Sequence, residues 1–311
     1  MNGSLRGRDL LTLSDLTPGE FGLILDTAIA QKRAWKAGDR SAPLAGLAIA
    51  IILQKPSLRT RVSFEVACSR LGAHPIVMSG PEGAFSRGES IHDTAKVLER
   101  YCDAIVLRTF AQATIAELAE HASVPVINAL TDEHHPCQGL ADFLTIKEHL
   151  GKLAGVKLAY VGDGNNMAHT YLLGGALAGS DVRIATPEGY DADSAIVERA
   201  KVIALATGAR ISVTHDAASA VDGADVVATD TWASMGQESE HGERVDVFAP
   251  FSCDMDLMEA ASPSAKFMHC LPAHRGEEVT DEVIDSANSI VFDEAENRLH
   301  AQKALLSLVL G

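Results

Sequence analysis

Short runs of apolar and β-branched residues alternate along this chain with longer stretches in which apolar residues recur every three or four positions, and the alternation comes in two series. The first predicts strands over residues 47–53, 75–78, 104–107 and 126–128. The second restarts after Gly151 and predicts strands over 157–161, 182–186, 210–214, 226–229, 267–269 and 290–292. Helical spacing fills most of the intervals. Thr17-Pro18-Gly19-Glu20 has the form of a capping box with proline at the first helical position, and predicts a helix to about Lys36. Another helix is expected from Pro136 to Leu150, ending at Gly151, and a last amphipathic one over 294–310. After the run 47–53, Pro56 and Ser57 break the pattern, and Val62, Val66 and Leu71 then fall at helical spacing. Alternation of this kind builds parallel sheets covered by helices on both faces. The expected fold is α/β with two domains, 1–148 and 149–293, each a mostly parallel sheet with helices on both faces.

Length agrees, because 311 residues are many for one core. The apolar share of 47% with 22% charged residues is ordinary for a globular chain. A formal charge of −16 disfavours nucleic acid or an anionic membrane as partner. An anionic ligand would therefore need a local positive pocket in a repulsive overall field. No apolar stretch approaches the roughly 20 residues that span a bilayer, and residues 1–13 lack the signal-peptide pattern. Cys68, Cys102, Cys137, Cys253 and Cys270 form no CxxC pair, so neither a disulfide framework nor a zinc site is expected, and a reducing cytoplasm fits.

Ligands of open α/β sheets bind beyond the carboxyl ends of the strands, so the chemistry is to be sought in the loops that follow them. The turn after 47–53 opens a helix whose first turn carries Ser57, Leu58, Arg59, Thr60 and Arg61. Free N–H groups at a helix N-terminus attract anions, and the arginines and hydroxyls add donors suited to a phosphate. Arg108 follows the strand 104–107. His134-His135-Pro136-Cys137-Gln138 follows 126–128. Adjacent histidines point different ways and no third ligand stands at a typical spacing, so His135 is expected to hydrogen-bond, with Gln138 one turn into the same helix. After 157–161 comes Gly162-Asp163-Gly164-Asn165-Asn166-Met167. Met167 replaces the third glycine of a dinucleotide fingerprint, which disfavours nicotinamide cofactors; the asparagines can cap the helix or bind a polar ligand. Asp230-Thr231-Trp232-Ala233-Ser234-Met235-Gly236 follows 226–229. Cys270-Leu271-Pro272-Ala273-His274-Arg275 follows 267–269, where a thiol is either buried and inert or activated by its cationic neighbours.

These segments, in order and spacing along essentially the whole chain, resemble the aspartate/ornithine carbamoyltransferase family, and within it the members that use ornithine. Ser57-Leu58-Arg59-Thr60-Arg61 looks like the carbamoyl phosphate loop, and Arg108 with His135-Pro136-Cys137-Gln138 like its partners. Asp230 to Gly236 resembles the ornithine-reading DxxxSMG motif, and His269-Cys270-Leu271-Pro272 the motif that closes the site. Arg298 matches the arginine whose helix, 294–311, returns to the first domain. The resemblance implies that Ser57, Leu58, Arg59, Thr60, Arg108, His135, Gln138, Cys270, Leu271 and Arg298 hold carbamoyl phosphate. It implies that Asn166, Asp230, Ser234 and Met235 hold ornithine, with Arg108, His135, Asp230 and Cys270 as the catalytic set. Leu58 stands where a threonine is usual, and Ala84 near where a neighbouring loop offers a glutamine, with Ser86 or Arg87 as substitutes.

The implied reaction is attack of the neutral δ-amine of L-ornithine on the carbamoyl carbon, with closure of the domains joining the reactants, giving L-citrulline and phosphate, for arginine biosynthesis or, in reverse, for citrulline breakdown. No metal or organic cofactor is implied. The assembly implied is a homotrimer, or an assembly of trimers, with sites at subunit interfaces. The rival readings are a carbamoyltransferase for another amine, such as putrescine or a modified ornithine, and a non-catalytic ligand-binding relative.

Overall fold

A computed structural model describes residues 5–80, 88–233 and 238–311. Their regular elements are, in chain order, α1 (Pro18–Lys36), β1 (Ala48–Leu53), α2 (Leu58–Leu71), β2 (His74–Ser79), α3 (Ile91–Leu98), β3 (Ala104–Arg108), α4 (Gln112–His121), β4 (Val126–Leu130) and α5 (Pro136–Leu150). There follow β5 (Lys157–Val161), α6 (Asn166–Ala178), β6 (Asp181–Ala185), α7 (Ser194–Thr207), β7 (Arg210–Thr214), α8 (Ala217–Val221) and β8 (Val226–Thr229). The chain closes with α9 (His241–Phe248), α10 (Met255–Glu259), β9 (Lys266–His269), α11 (Asp281–Ile284) and α12 (Val291–Leu310). Two compact units result: Met1–Leu144 with Glu296–Gly311, and Thr145–Ala295.

The first unit holds a four-stranded sheet, order β2-β1-β3-β4, with every pairing parallel. Its central strands are buried along almost their whole length, as expected where both faces of a parallel sheet are covered by helices. Ala50, Ile52, Ile105, Leu107, Ile115, Leu118 and Val126 make one packed cluster there. Thr17 and Glu20 exchange the two hydrogen bonds of a capping box and start α1 where the sequence predicts it. The last turns of the chain lie in this unit: Lys32 Nζ donates to Asn297 Oδ1 at 2.8 Å, and the Gly7 N–H to the Val309 carbonyl at 2.9 Å.

The second unit holds a five-stranded parallel sheet, order β7-β6-β5-β8-β9. Its core includes Val161, Val221, Val227, Phe267, Val279 and Val283. Two details differ from the sequence reading. The apolar run at 290–292 makes no strand: Ser289 forms a lone bridge with Phe267, the Ile290 N–H donates to the Phe267 carbonyl, and the chain turns into α12 at Val291. On α2 the buried face is Phe64, Ala67, Cys68 and Leu71, while Val62 is exposed and Val66 half-buried. Among the described residues no helix is long and apolar enough to cross a membrane.

Candidate functional site

In the first unit the strand order reverses between β1 and β3, which pair directly with Leu53 opposite Arg108. Such a switch point leaves a crevice beyond the carboxyl ends of the two strands. The N-terminal turn of α2 stands there because Ser57 caps it: Ser57 Oγ accepts from the Thr60 N–H at 3.2 Å. Ser57 Oγ in turn donates to Thr60 Oγ1 at 3.1 Å, and Arg298 Nη2 donates to the same oxygen at 2.8 Å. A hydroxyl that accepts twice keeps its own proton for another partner. Arg298 Nη1 donates to Gln138 Oε1 at 2.8 Å, and Gln138 Nε2 to Asp142 Oδ1 at 2.7 Å. One buried network thus joins α2, α5 and α12.

His135 is the electrostatic centre of this site. It is buried, and its imidazole is pushed well below the ordinary 6.5, first by desolvation and then by the charges of Arg298, Arg108 and Arg59. Its ring is therefore neutral at neutral pH. Three guanidiniums that act on one ring make a local concentration of positive charge in a chain of charge −16. Among the described residues, the buried Nε of Arg59 has no hydrogen-bond partner. The arrangement suits a compact polyanion that can take several charge-assisted hydrogen bonds. Leu58 is 76% exposed at the helix start, and Arg61 turns outward to Glu65, 2.9 Å away.

In the second unit the order reverses between β5 and β8, and the loops after these strands meet. Asn165 caps α6, accepting from the Met167 and Ala168 N–H groups, while its Nδ2 donates to Asp230 Oδ2 at 3.1 Å. Cys270 Sγ donates to Asp230 Oδ1 at 3.1 Å, so both carboxylate oxygens are engaged. Asn166, the first residue of α6, is buried, and its carbonyl accepts from Thr170 Oγ1. Leu271 follows Cys270 with φ 58 and a cis bond to Pro272. Asp230, Asn165 and Cys270 thus present a carboxylate, an amide and a thiol, a set that suits a cationic or amine-bearing ligand. Ser234 and Met235 lie outside the described residues, as do Ala84, Ser86 and Arg87.

Several contacts here carry no motif. Arg244 on α9 donates through Nη1 to Asp163 Oδ2 at 3.0 Å and to the Trp232 carbonyl at 2.8 Å, and through Nε to Glu240 at 2.9 Å. Burial nevertheless pushes the Asp163 carboxyl up to about 6, Arg244 opposing and nearby Asp230 adding to the rise. Lys55 is buried in an ion pair with Asp132 and lies over the Phe110 ring. Only the chemistry of the types could have flagged these positions, since charged residues are rarely buried unless paired. Gly164 answers to packing: a Cβ there would stand 2.3 Å from the backbone of Asp191 and Ala192. The five cysteines are free, and burial pushes the thiols of Cys68, Cys137 and Cys253 up to about 12.

A parallel α/β unit with three arginines acting on one buried histidine, followed by one with a carboxylate–thiol pair at its switch point, defines a protein of two parallel α/β units with charged groups at both switch points. Comparison with known proteins agrees. Residues 8–148 match the carbamoyl-P binding domain of the aspartate/ornithine carbamoyltransferases, and residues 154–309 match their Asp/Orn binding domain. The chain belongs to the aspartate/ornithine carbamoyltransferase family. It is 54% identical over 308 residues to the ornithine carbamoyltransferase of Pyrococcus abyssi, covering 99% of this chain and 97% of that one. It is 53% identical, with 99% and 98% covered, to the Pyrococcus furiosus protein named "Ornithine carbamoyltransferase, anabolic". The solved structure of ornithine carbamoyltransferase from Pyrococcus furiosus superposes with a TM-score of 0.97, covering 99% of both chains at 53% identity. That from Thermus thermophilus gives 0.87, covering 97% of this chain and 99% of the other at 41% identity.

Proposed function

We propose that this protein transfers the carbamoyl group of carbamoyl phosphate to the δ-amine of L-ornithine, releasing L-citrulline and phosphate. The observation that carries the reading is the pocket of Arg59, Arg108 and Arg298 around a neutral, buried His135. The amine lone pair attacks the carbamoyl carbon, a C–N bond forms, the C–O bond to phosphate breaks with its electrons leaving on phosphate, and the amine loses a proton. Negative charge grows on the carbamoyl oxygen and on the departing phosphate, where fixed cationic donors give most of the rate.

In this reading Ser57, Leu58, Arg59 and Thr60 hold the phosphate through the α2 N-terminus, with Arg108 and Arg298 closing on it. His135, Gln138 and the free proton of Thr60 serve the carbamoyl group, to which the family resemblance also assigns Cys270 and Leu271. Asp230 with Cys270 directs the amine, while Asn166, Ser234 and Met235 hold the amino-acid end. Only the deprotonated amine is nucleophilic, and a carboxylate already satisfied by Asn165 and Cys270 orients it. The chemistry balances without redox or metal steps.

The relatives' names support ornithine as acceptor, and the one called anabolic supports the synthetic direction, towards arginine. Five free cysteines support a reducing cytoplasm. The family resemblance supports a homotrimer, or an assembly of trimers, in which the loop holding Ala84 contributes to a neighbouring site. An amine panel tests the function. Purified protein with carbamoyl phosphate should use L-ornithine over putrescine and N-acetylornithine by roughly a hundredfold or more in kcat/KM, as a site built for polar groups discriminates. Preference for another amine would reassign the acceptor, and no turnover with any would make the chain a binding protein.

A further inference from the structure

In the second unit, four side chains that the proposed chemistry does not use converge from two segments distant in the sequence. His241 begins α9, while His274, Glu277 and Glu278 share the turn that follows β9. The backbone closes that turn. The Glu277 N–H donates to the His274 carbonyl at 3.0 Å and the Gly276 N–H to the Val279 carbonyl at 2.9 Å, with Gly276 at φ 88. One ligand atom from each of His274, Glu277 and Glu278 then lies within 4.8 Å of the others. His241 Nε2 stands 3.4 Å from Glu277 Oε1, and His274 Nδ1 stands 3.6 Å from Glu278 Oε2. The two imidazole rings are 6.2 Å apart, near enough to share one ion.

Ion pairs alone do not satisfy this cluster. Glu278 is fully buried; its Oε1 accepts the His274 backbone N–H, but its Oε2 has no hydrogen-bond partner among the described residues. A buried carboxylate oxygen without a donor is costly, and a bound cation removes that cost. The spacings agree. Ligand atoms about 2.0–2.1 Å from a tetrahedral zinc ion stand about 3.4 Å from one another. The 3.4 and 3.6 Å separations match that edge, and exceed the roughly 2.7–3.2 Å of an N–H···O hydrogen bond. Imidazoles with carboxylates suit zinc and its transition-metal neighbours, whereas magnesium and calcium take oxygen ligands. Both histidines are exposed, so an ion enters from solvent and meets Glu278 at the floor. We propose that His241, His274, Glu277 and Glu278 bind one divalent ion of the zinc class, which ties the start of α9 to the turn after β9. None of the four is among the side chains assigned to the reactants, so the site stands whichever amine is the acceptor.

Zinc chloride and cobalt chloride are the probes, added to the full-length protein without a histidine tag. Calorimetry should show one zinc ion per chain. His241→Ala and Glu277→Gln should each weaken it by about tenfold or more, since even the groups behind a metal's ligands are worth 10–100-fold. Zinc should raise the melting temperature of the wild type and leave that of His241→Ala much less changed. Circular dichroism without metal should match wild type in both variants, whose altered side chains lie towards the surface. Cobalt should give the strong visible absorption of a tetrahedral site and no near-ultraviolet band from a thiolate ligand. Proton NMR of the wild type needs no variant: one equivalent of zinc should shift the ring signals of His241 and His274 together. Rings that do not move, or zinc affinity undiminished in both variants, would overturn the proposal. A thiolate band that disappears in Cys270→Ser would overturn it too, by placing the ion on that cysteine.

Discussion

A histidine ringed by three arginines is an odd choice until the proton is followed. Burial and the charges of Arg298, Arg108 and Arg59 all oppose protonation of His135, so the ring is a neutral hydrogen-bonding group. The unfolded chain takes that proton near 6.5 while the folded chain does not, so stability contributed at His135 is present above about pH 6.5 and lost as pH falls below it. An anion in the pocket offsets the arginines, so inorganic phosphate should raise the His135 pKa. Arg59→Ala should raise it too, and should lower kcat by roughly 10²–10³ as loss of an oxyanion donor does. A proton NMR titration of the ring, run with and without phosphate, reads both shifts; a ring that ignores phosphate would place the anion elsewhere. The sequence made Arg59, Arg108 and His135 legible as chemistry, because each stands at or just beyond the carboxyl end of an apolar run that reads as a strand. It could not reveal that they act on one proton, because that depends on distances between β3, α2 and α12.

At the scale of elements, Arg244 ties α9 to the β5–α6 turn and to the segment after β8. Arg244→Ala should cost about 3–5 kcal/mol, because it leaves Asp163 buried without its counter-ion. The sign of the pH effect follows from Asp163, whose carboxyl burial already holds near 6. Removing the guanidinium raises it further, so acid protonates the orphaned carboxyl and relieves the variant. The deficit, measured by urea unfolding, should shrink as pH falls from about 8 to about 6. A constant deficit would show that Arg244 stabilises through its packing on Tyr190 and Phe248 instead. Most elements were legible because buried parallel strands are short apolar runs and Thr17-Pro18-Gly19-Glu20 states a helix start. The misreadings have local causes. On α2 the valines suggested a face that Phe64, Ala67 and Cys68 occupy instead, since aromatic and small residues outpack them against the sheet. At 290–292 an apolar run looked like a strand, but backbone pairing at Ser289 and Ile290 gives way to helix at once. The contact of Asn165 with Asp230 carried no motif and follows from the cap geometry of α6.

At the scale of the whole molecule, ligand binding and stability are one quantity. A ligand that binds only the folded protein adds about 2.7 kcal/mol at a hundredfold excess over its Kd. Phosphate at that excess should therefore raise the melting temperature of the wild type by several degrees, and Arg298→Met should abolish most of the rise. An undiminished shift in Arg298→Met would separate α12 from the anion pocket. The arginine in question reaches Thr60 across 238 residues of sequence. A chain emerging from the ribosome makes β1 and the start of α2 early, yet waits for nearly the whole message to be read before Arg298 exists to meet them. The site therefore lacks one of its three arginines on a half-made polypeptide, and a message cut short ahead of α12 should yield a protein that phosphate stabilises much less. Occupancy by substrate then marks chains in which α12 has been made and docked, and chains that lack it are left for proteases to find first.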